Sequence, residues 1–377
     1  MPDYVTQPLQ GAAAFLETTR SAQLAQAAQL LVLGSQIRGD EEAFRAKSNA
    51  RGFTSEFFSP DVVTELGIPR IPYQGKRFDR QERTPLQPRE LPLTSEEAVA
   101  TRQRILQAAR QFHASPSPST TAQLLEASLR SPDAIVRVAA ASSYFDLTTD
   151  PTGLVEILVE GTQSNDPLVR KVAANALAHI EPGHQRLKDL MTATHSDGPL
   201  GPLHTSVLVH GTWASTESWW QPGGDFHTYV LNDVWKDLYH SPDRFEWSGG
   251  YSDAARSLAG ADLAAWLVSH QASGANLMTH SHGGSVAMLT SHTAGISMNE
   301  LVLLSCPVHV PKYVPNFEAM GKVVSVRVKM DLVILADRGG QRFNLSQIQE
   351  NILPIWFDHS ATHDMAVWKQ HNVPAML

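Results

Sequence analysis

Cysteine occurs once in the 377 residues, at Cys306, so no intramolecular disulfide can form and a disulfide-stapled scaffold is excluded. A chain so poor in cysteine fits a reducing, cytoplasmic compartment. No apolar run approaches the ~18 residues that a membrane-spanning helix needs. Positive charge is scarce: 30 Lys and Arg stand against 38 Asp and Glu, for a formal charge of −8, and no basic block gathers them into a face for nucleic acid. The opening residues hold Pro2, Asp3 and Pro8 but no basic cluster ahead of an apolar stretch, so they do not read as a secretory leader. What is present is ordinary for a folded chain, with 42% apolar and 18% charged residues, and the length suits two domains or three.

Three zones follow one another. Residues 1–94 are mixed. Gly11 to Phe44 is rich in Ala, Gln and Leu and predicts one or two helices. Pro60, Pro69, Pro72, Pro85, Pro88 and Pro92 then punctuate a polar stretch that predicts irregular chain. Phe53, Phe57, Phe58, Ile68, Ile71 and Tyr73 would anchor it as an arm on a neighbour. Residues 95–195 are helical and carry an internal echo. Asp133 precedes Ile135-Val136-Arg137-Val138-Ala139-Ala140, and Asp166 precedes Leu168-Val169-Arg170-Lys171-Val172-Ala173-Ala174, at an offset of 33 residues. An Asp at a helix start accepts bonds from free N–H groups, and Ala lets a second helix approach closely. This pattern resembles HEAT-type helical repeats, which bind partners or brace neighbours. Ser196 to Pro202 reads as the boundary.

Residues 203–377 change rhythm. Short apolar runs at Ser206–Val209, Ala275–Met278, Leu301–Leu304, Val323–Val328 and Ile352–Phe357, with a sixth at Phe245–Trp247, alternate with helical patterns such as Ala254–His270. Continuous apolar strands separated by helices predict an α/β domain, a doubly wound parallel sheet of about six strands, behind an all-α helical-repeat domain. Such sheets keep their chemistry at the C-terminal ends of the strands.

Thr279-His280-Ser281-His282-Gly283-Gly284 lies between a predicted strand and a predicted helix. A sharp turn there lifts the Ser281 hydroxyl above the sheet edge at a helix N-terminus. His210-Gly211-Thr212-Trp213 ends another strand, 71 residues before Ser281. Asp331 follows the Val323 strand, and His359 and His363 follow the last one. Taken in this order, these residues resemble the α/β-hydrolase superfamily, whose Gly-x-Ser-x-Gly nucleophile elbow is followed by an acid and then a His. Thr279 stands where the first Gly of that motif belongs.

The resemblance implies Ser281 as nucleophile, Asp331 as acid with Asp337 as its competitor, and His359 as base with His363 as the alternative. It also implies an oxyanion hole made by the N–H groups of Thr212 or Trp213 and of His282. The implied chemistry is cleavage of a small carboxylic ester through an acyl-enzyme, with thioester, lactone and amide substrates open, and it uses no metal or other cofactor. His280 and His282 form an H-x-H pair without a third ligand at a recognisable spacing, so no metal site is read there. Trp213, Trp219 and Trp220 offer an aromatic wall for substrate. Cys306, at a strand end, reads as a buried small residue. The rival reading makes the helical repeats a protein-binding module attached to an inactive hydrolase domain.

Overall fold

The helices of the first half begin where their caps dictate. Thr94 accepts a bond from the Glu97 amide and Glu97 returns one to Thr94, a reciprocal capping box that starts the helix Ser95–Ala114. Ser117 and Thr120 do the same for Pro118–Ser128, with Pro118 in the first turn, where its missing N–H is harmless. The computed structural model describes residues 4–48, 60–71, 94–191 and 206–377. Its first half contains α1 Arg20–Ser48, α2 Pro60–Glu65, α3 Ser95–Ala114, α4 Pro118–Ser128, α5 Ala134–Thr148, α6 Leu154–Gly161, α7 Pro167–Ile180 and α8 Gln185–Asp189. The expected boundary at 196–202 and the anchors Phe53, Phe57, Phe58 and Tyr73 lie outside the described residues. Ile68 and Ile71 are buried in the helical core together with α1.

The 33-residue echo holds down to single atoms. Arg137 Nη1 donates to the Ser131 carbonyl at 2.8 Å, and Arg170 Nη1 to the Ser164 carbonyl at 2.7 Å. The Asp133 and Asp166 amides each donate to the hydroxyl of the serine two residues earlier. The caps differ: Asp166 accepts from the Leu168 and Val169 amides, whereas Asp133 is drawn off to Gln23 and Arg102.

The second half is an open sheet of five parallel strands, β1 Ser206–Val209, β2 Ala275–His280, β3 Met298–Leu304, β4 Met320–Val328 and β5 Gln349–Leu353, in the order β1-β2-β3-β4-β5. Alternating side chains feed two cores. Val207, Val209, Leu277, Leu301 and Leu303 pack under α10 Asp253–Ser269 and α11 His282–Thr290. Leu208, Met278, Val302, Leu304 and Val326 pack under α9 Asp225–Tyr229 and α13 Met365–His371. Burial on both faces explains why these strands read as unbroken apolar runs.

Two expectations are corrected. The sixth strand does not form at Phe245–Trp247; Trp247 instead turns its indole N–H to the His210 carbonyl at 2.8 Å. The last strand also falls earlier than expected, ending at Leu353 because Pro354 has no N–H to continue the ladder.

The two halves share one core. The short helix α12 Leu332–Ala336, directly after β4, sits among α1 and α7, and Met330, Leu332, Val333, Leu335, Trp356 and Phe357 belong to the helical core cluster. Arg338 seals the contact with an ion pair to Asp146 at 2.5 Å and a bond to the Ser142 hydroxyl at 2.8 Å, all buried. Among the described residues no helix is long and apolar enough to cross a membrane.

Candidate active site

Ser281 sits between β2 and α11 with φ 54° and ψ −133°, a left-handed conformation that strains any residue with a Cβ. Its amide still donates to the Leu304 carbonyl at 2.9 Å, so the turn is anchored to the neighbouring strand. The turn after β1 is pressed against it. A Cβ on Gly211 would lie 2.6 Å from Ser281 Cβ, and one on Gly283 would lie 2.6 Å from the His210 carbonyl oxygen. Only glycine permits both approaches. Thr279, which replaces the expected first glycine, is buried and gives its hydroxyl to the Val302 carbonyl at 3.0 Å, so the β-branched side chain is absorbed by the strand next door.

The C-terminal ends of β4 and β5 bring the acid and a histidine together. Beyond Pro354 the chain rejoins β4, with the Lys329 amide donating to Ile355 and the Phe357 amide to Met330. Asp331 and His359 are thereby juxtaposed, and His359 Nδ1 donates to Asp331 Oδ2 at 2.7 Å, with both residues buried. The other Asp331 oxygen caps α12, accepting from the Val333 and Ile334 amides at 2.9 and 3.2 Å. Gln341 holds the Asp331 backbone at both its N–H and its carbonyl. Buried Arg327 in turn holds the Gln341 and Cys306 carbonyls. With Nδ1 committed to Asp331, the His359 ring has Nε2 left for other work, and that atom makes no hydrogen bond among the described residues.

His280, beside Ser281, donates Nε2 to the His359 carbonyl at 3.2 Å, and their ring centroids are 4.6 Å apart. His363 also packs on His280, at 4.5 Å between ring centroids, but it stacks on Trp219 at 4.2 Å and its Nε2 is buried without a partner. Burial pushes His280 and His363 well below the usual histidine range, and Lys171 lowers both further.

The structure also separates the expected oxyanion donors. Trp213 has φ 62° and spends its N–H on the Gly249 carbonyl at 3.1 Å, so it cannot serve. The amides of Thr212 and His282, the latter in the first turn of α11, make no such bond and remain as donors. Trp220 is corrected too. It is 1% exposed, donates its indole N–H to the Ala214 carbonyl and packs on the His210 ring, which gives a ligand no surface. Trp213 is only partly buried, and Trp219 is tied to Glu217 by its indole N–H. Glu217 pairs with Lys171 of α7 at 3.1 Å. Lys171 stands in its repeat where Val138 stands in the preceding one, so the echo breaks where the helical half meets this site.

Asp337, the competing acid, is bonded to other histidines than His359. It accepts from His282 at 3.0 Å and from His309 at 2.7 Å. Burial lowers His282 to about 4. His309 and Gln341 carry no sequence signature, because neither lies at a motif spacing. The H-x-H pair splits, His280 towards His359 and His282 towards Asp337.

Burial of neutral histidines makes the fold sensitive to acid. Burial lowers His210 to about 4, and burial followed by the Arg338 charge lowers His179 to about 3. In both cases the unfolded chain takes up the proton first. Stability is therefore full above about pH 6.5 and is lost as pH falls from there towards about 4, by on the order of 3 kcal/mol for His210 alone. Urea midpoints measured across this window should fall steadily; a flat profile would count against neutral burial.

No family model matches the chain, and no curated protein matches it.

Proposed function

We propose that this chain is a serine hydrolase of the α/β-hydrolase type that cleaves small carboxylic esters. The observation that carries this reading is the buried 2.7 Å bond from His359 Nδ1 to Asp331, formed at the same end of the sheet as the strained Ser281 turn. In this reading His359 Nε2 accepts the Ser281 proton as Oγ attacks the acyl carbon. Asp331 holds the ring in the tautomer that leaves Nε2 free and stabilises the imidazolium. The amides of Thr212 and His282 receive the developing oxyanion. The alcohol leaves with the proton from His359. Water then attacks the acyl-enzyme with His359 as base, and the acid departs. Thioesters, lactones and amides suit the same residues.

The unpaired polar atoms gathered here support the reading. Thr212 Oγ1, Trp213 Nε1, His280 Nδ1 and His363 Nε2 are buried with no hydrogen-bond partner, a condition that calls for an explanation, which a bound substrate or water would supply. The helical repeats spend part of their surface on the other half, since α1 and α7 pack on α12.

A fluorophosphonate probe with intact-mass readout tests the proposal. One adduct per chain is expected, lost in Ser281→Ala. With p-nitrophenyl esters, His359→Ala should lower kcat by at least about 10³-fold, and His363→Ala by only a few fold. Folded protein that takes no adduct would favour the protein-binding module, and loss of turnover in His363→Ala alone would reverse the assignment of the base.

A further inference from the structure

We propose that His282, His309 and Asp337 form a binding site for one transition-metal dication, with zinc as the type ion. The three side chains come from the first turn of α11, the connection between β3 and β4, and the residue after α12. Their ligand atoms all lie within 4.8 Å of one another. His282 Nε2 is 3.0 Å from one Asp337 oxygen, and His309 Nε2 is 2.7 Å from the other. Zinc bound at ~2.0–2.2 Å to nitrogen and carboxylate oxygen separates its donors by about 3–3.5 Å. The two His–Asp pairs are near that spacing already, and a separation of up to 4.8 Å closes to it by about an ångström or less in each side chain. Both histidines turn Nε2 to the same carboxylate, and their ring planes are within 6° of parallel with centroids 5.7 Å apart.

The surroundings suit a ligand set. His282 Nδ1 lies 3.1 Å from the Ser285 hydroxyl, which can accept its proton and leave the Nε2 lone pair for an ion. Metal-binding histidines are oriented in this way by the partner of their second nitrogen. Two imidazoles and one carboxylate select zinc, cobalt, nickel or copper over calcium and magnesium. The nearby Arg256 is already engaged by Asp253 at 2.8 Å and by the Tyr313 hydroxyl at 2.9 Å. The His309 side chain is 25% exposed while those of His282 and Asp337 are buried, so the ion enters past His309, and water completes its shell on that side. Once bound, it ties the start of α11 to these two connections, which the Val308–Gly340 backbone bonds already join to each other.

This inference does not depend on Ser281 being a nucleophile, and the test uses full-length Ser281→Ala protein. The protein is stripped with a chelator and titrated with Co²⁺, read by its visible absorption, and with Zn²⁺, read by calorimetry and melting temperature. One ion per chain is expected, with a rise in Tm of about 2–5 °C at saturating zinc. His309→Ala, at a partly exposed position, and Asp337→Asn should each weaken binding at least tenfold. Folded protein with no cobalt spectrum, no heat and no shift in Tm would overturn the site and leave the trio as a hydrogen-bonded brace. Unchanged binding in both variants would overturn it equally, by placing the ion elsewhere.

Discussion

Asp331→Asn is expected to lower kcat about 10⁴-fold while barely moving the melting temperature. The asymmetry follows from the two tasks of this side chain. Its Oδ1 caps α12 by accepting two backbone amides, and asparagine caps a helix as well as aspartate does. Its Oδ2 accepts the His359 Nδ1 proton. An asparagine amide placed there donates instead, which drives the ring into the tautomer with its proton on Nε2, where it cannot receive one from Ser281. Asp331→Ala removes both functions and should add a loss of stability of about 1 kcal/mol for the missing cap. Steady-state kinetics and thermal melts on the two variants check this. Equal destabilisation by Asn and Ala, with activity retained in Asn, would show Asp331 to be a cap alone.

Removing residues 1–205 should leave a chain that does not fold. The deletion strips the helical layer from Met330, Leu332, Val333, Leu335, Trp356 and Phe357, all now buried against it. Opening these six apolar side chains to water costs on the order of 10 kcal/mol at ~1.5–3 kcal/mol each, and Arg338 gives up Asp146 and Ser142 as well. That is a large part of the total stability of a domain. Because α12 starts at Leu332, capped by Asp331, the damage begins one residue from the proposed acid. Loss of the near-ultraviolet circular dichroism signal and of a cooperative melt is expected. A truncated chain that melts cooperatively at the temperature of the full protein would show the halves to be independent.

The strands were legible because burial on both faces writes them as apolar runs, and four of the five fall where those runs are. β5 was displaced by one proline whose effect on the ladder outweighs the apolar character of Ile355 to Phe357. Asp331 and His359 were legible from their place after strands. What joins them was not: the rejoining of the chain at Ile355 and Phe357, and the Gln341 clamp, are contacts between segments with no sequence signature. The failure of Trp213 as an oxyanion donor was equally hidden, since it depends on a carbonyl from Gly249. Trp219 and Trp220 are adjacent in sequence yet face a rim and a core, a difference that depends on which hydrogen-bond acceptor each indole meets.

The bridge between Val5 and Trp356, with the Tyr4 hydroxyl on Asp364 at 2.7 Å, bears on biosynthesis. A ribosome releases the first of these partners long before the last, and α1 likewise waits for α12. The helical layer must therefore emerge with an apolar flank uncovered until residues 330–357 have been made, and contacts this distant in sequence fold slowly.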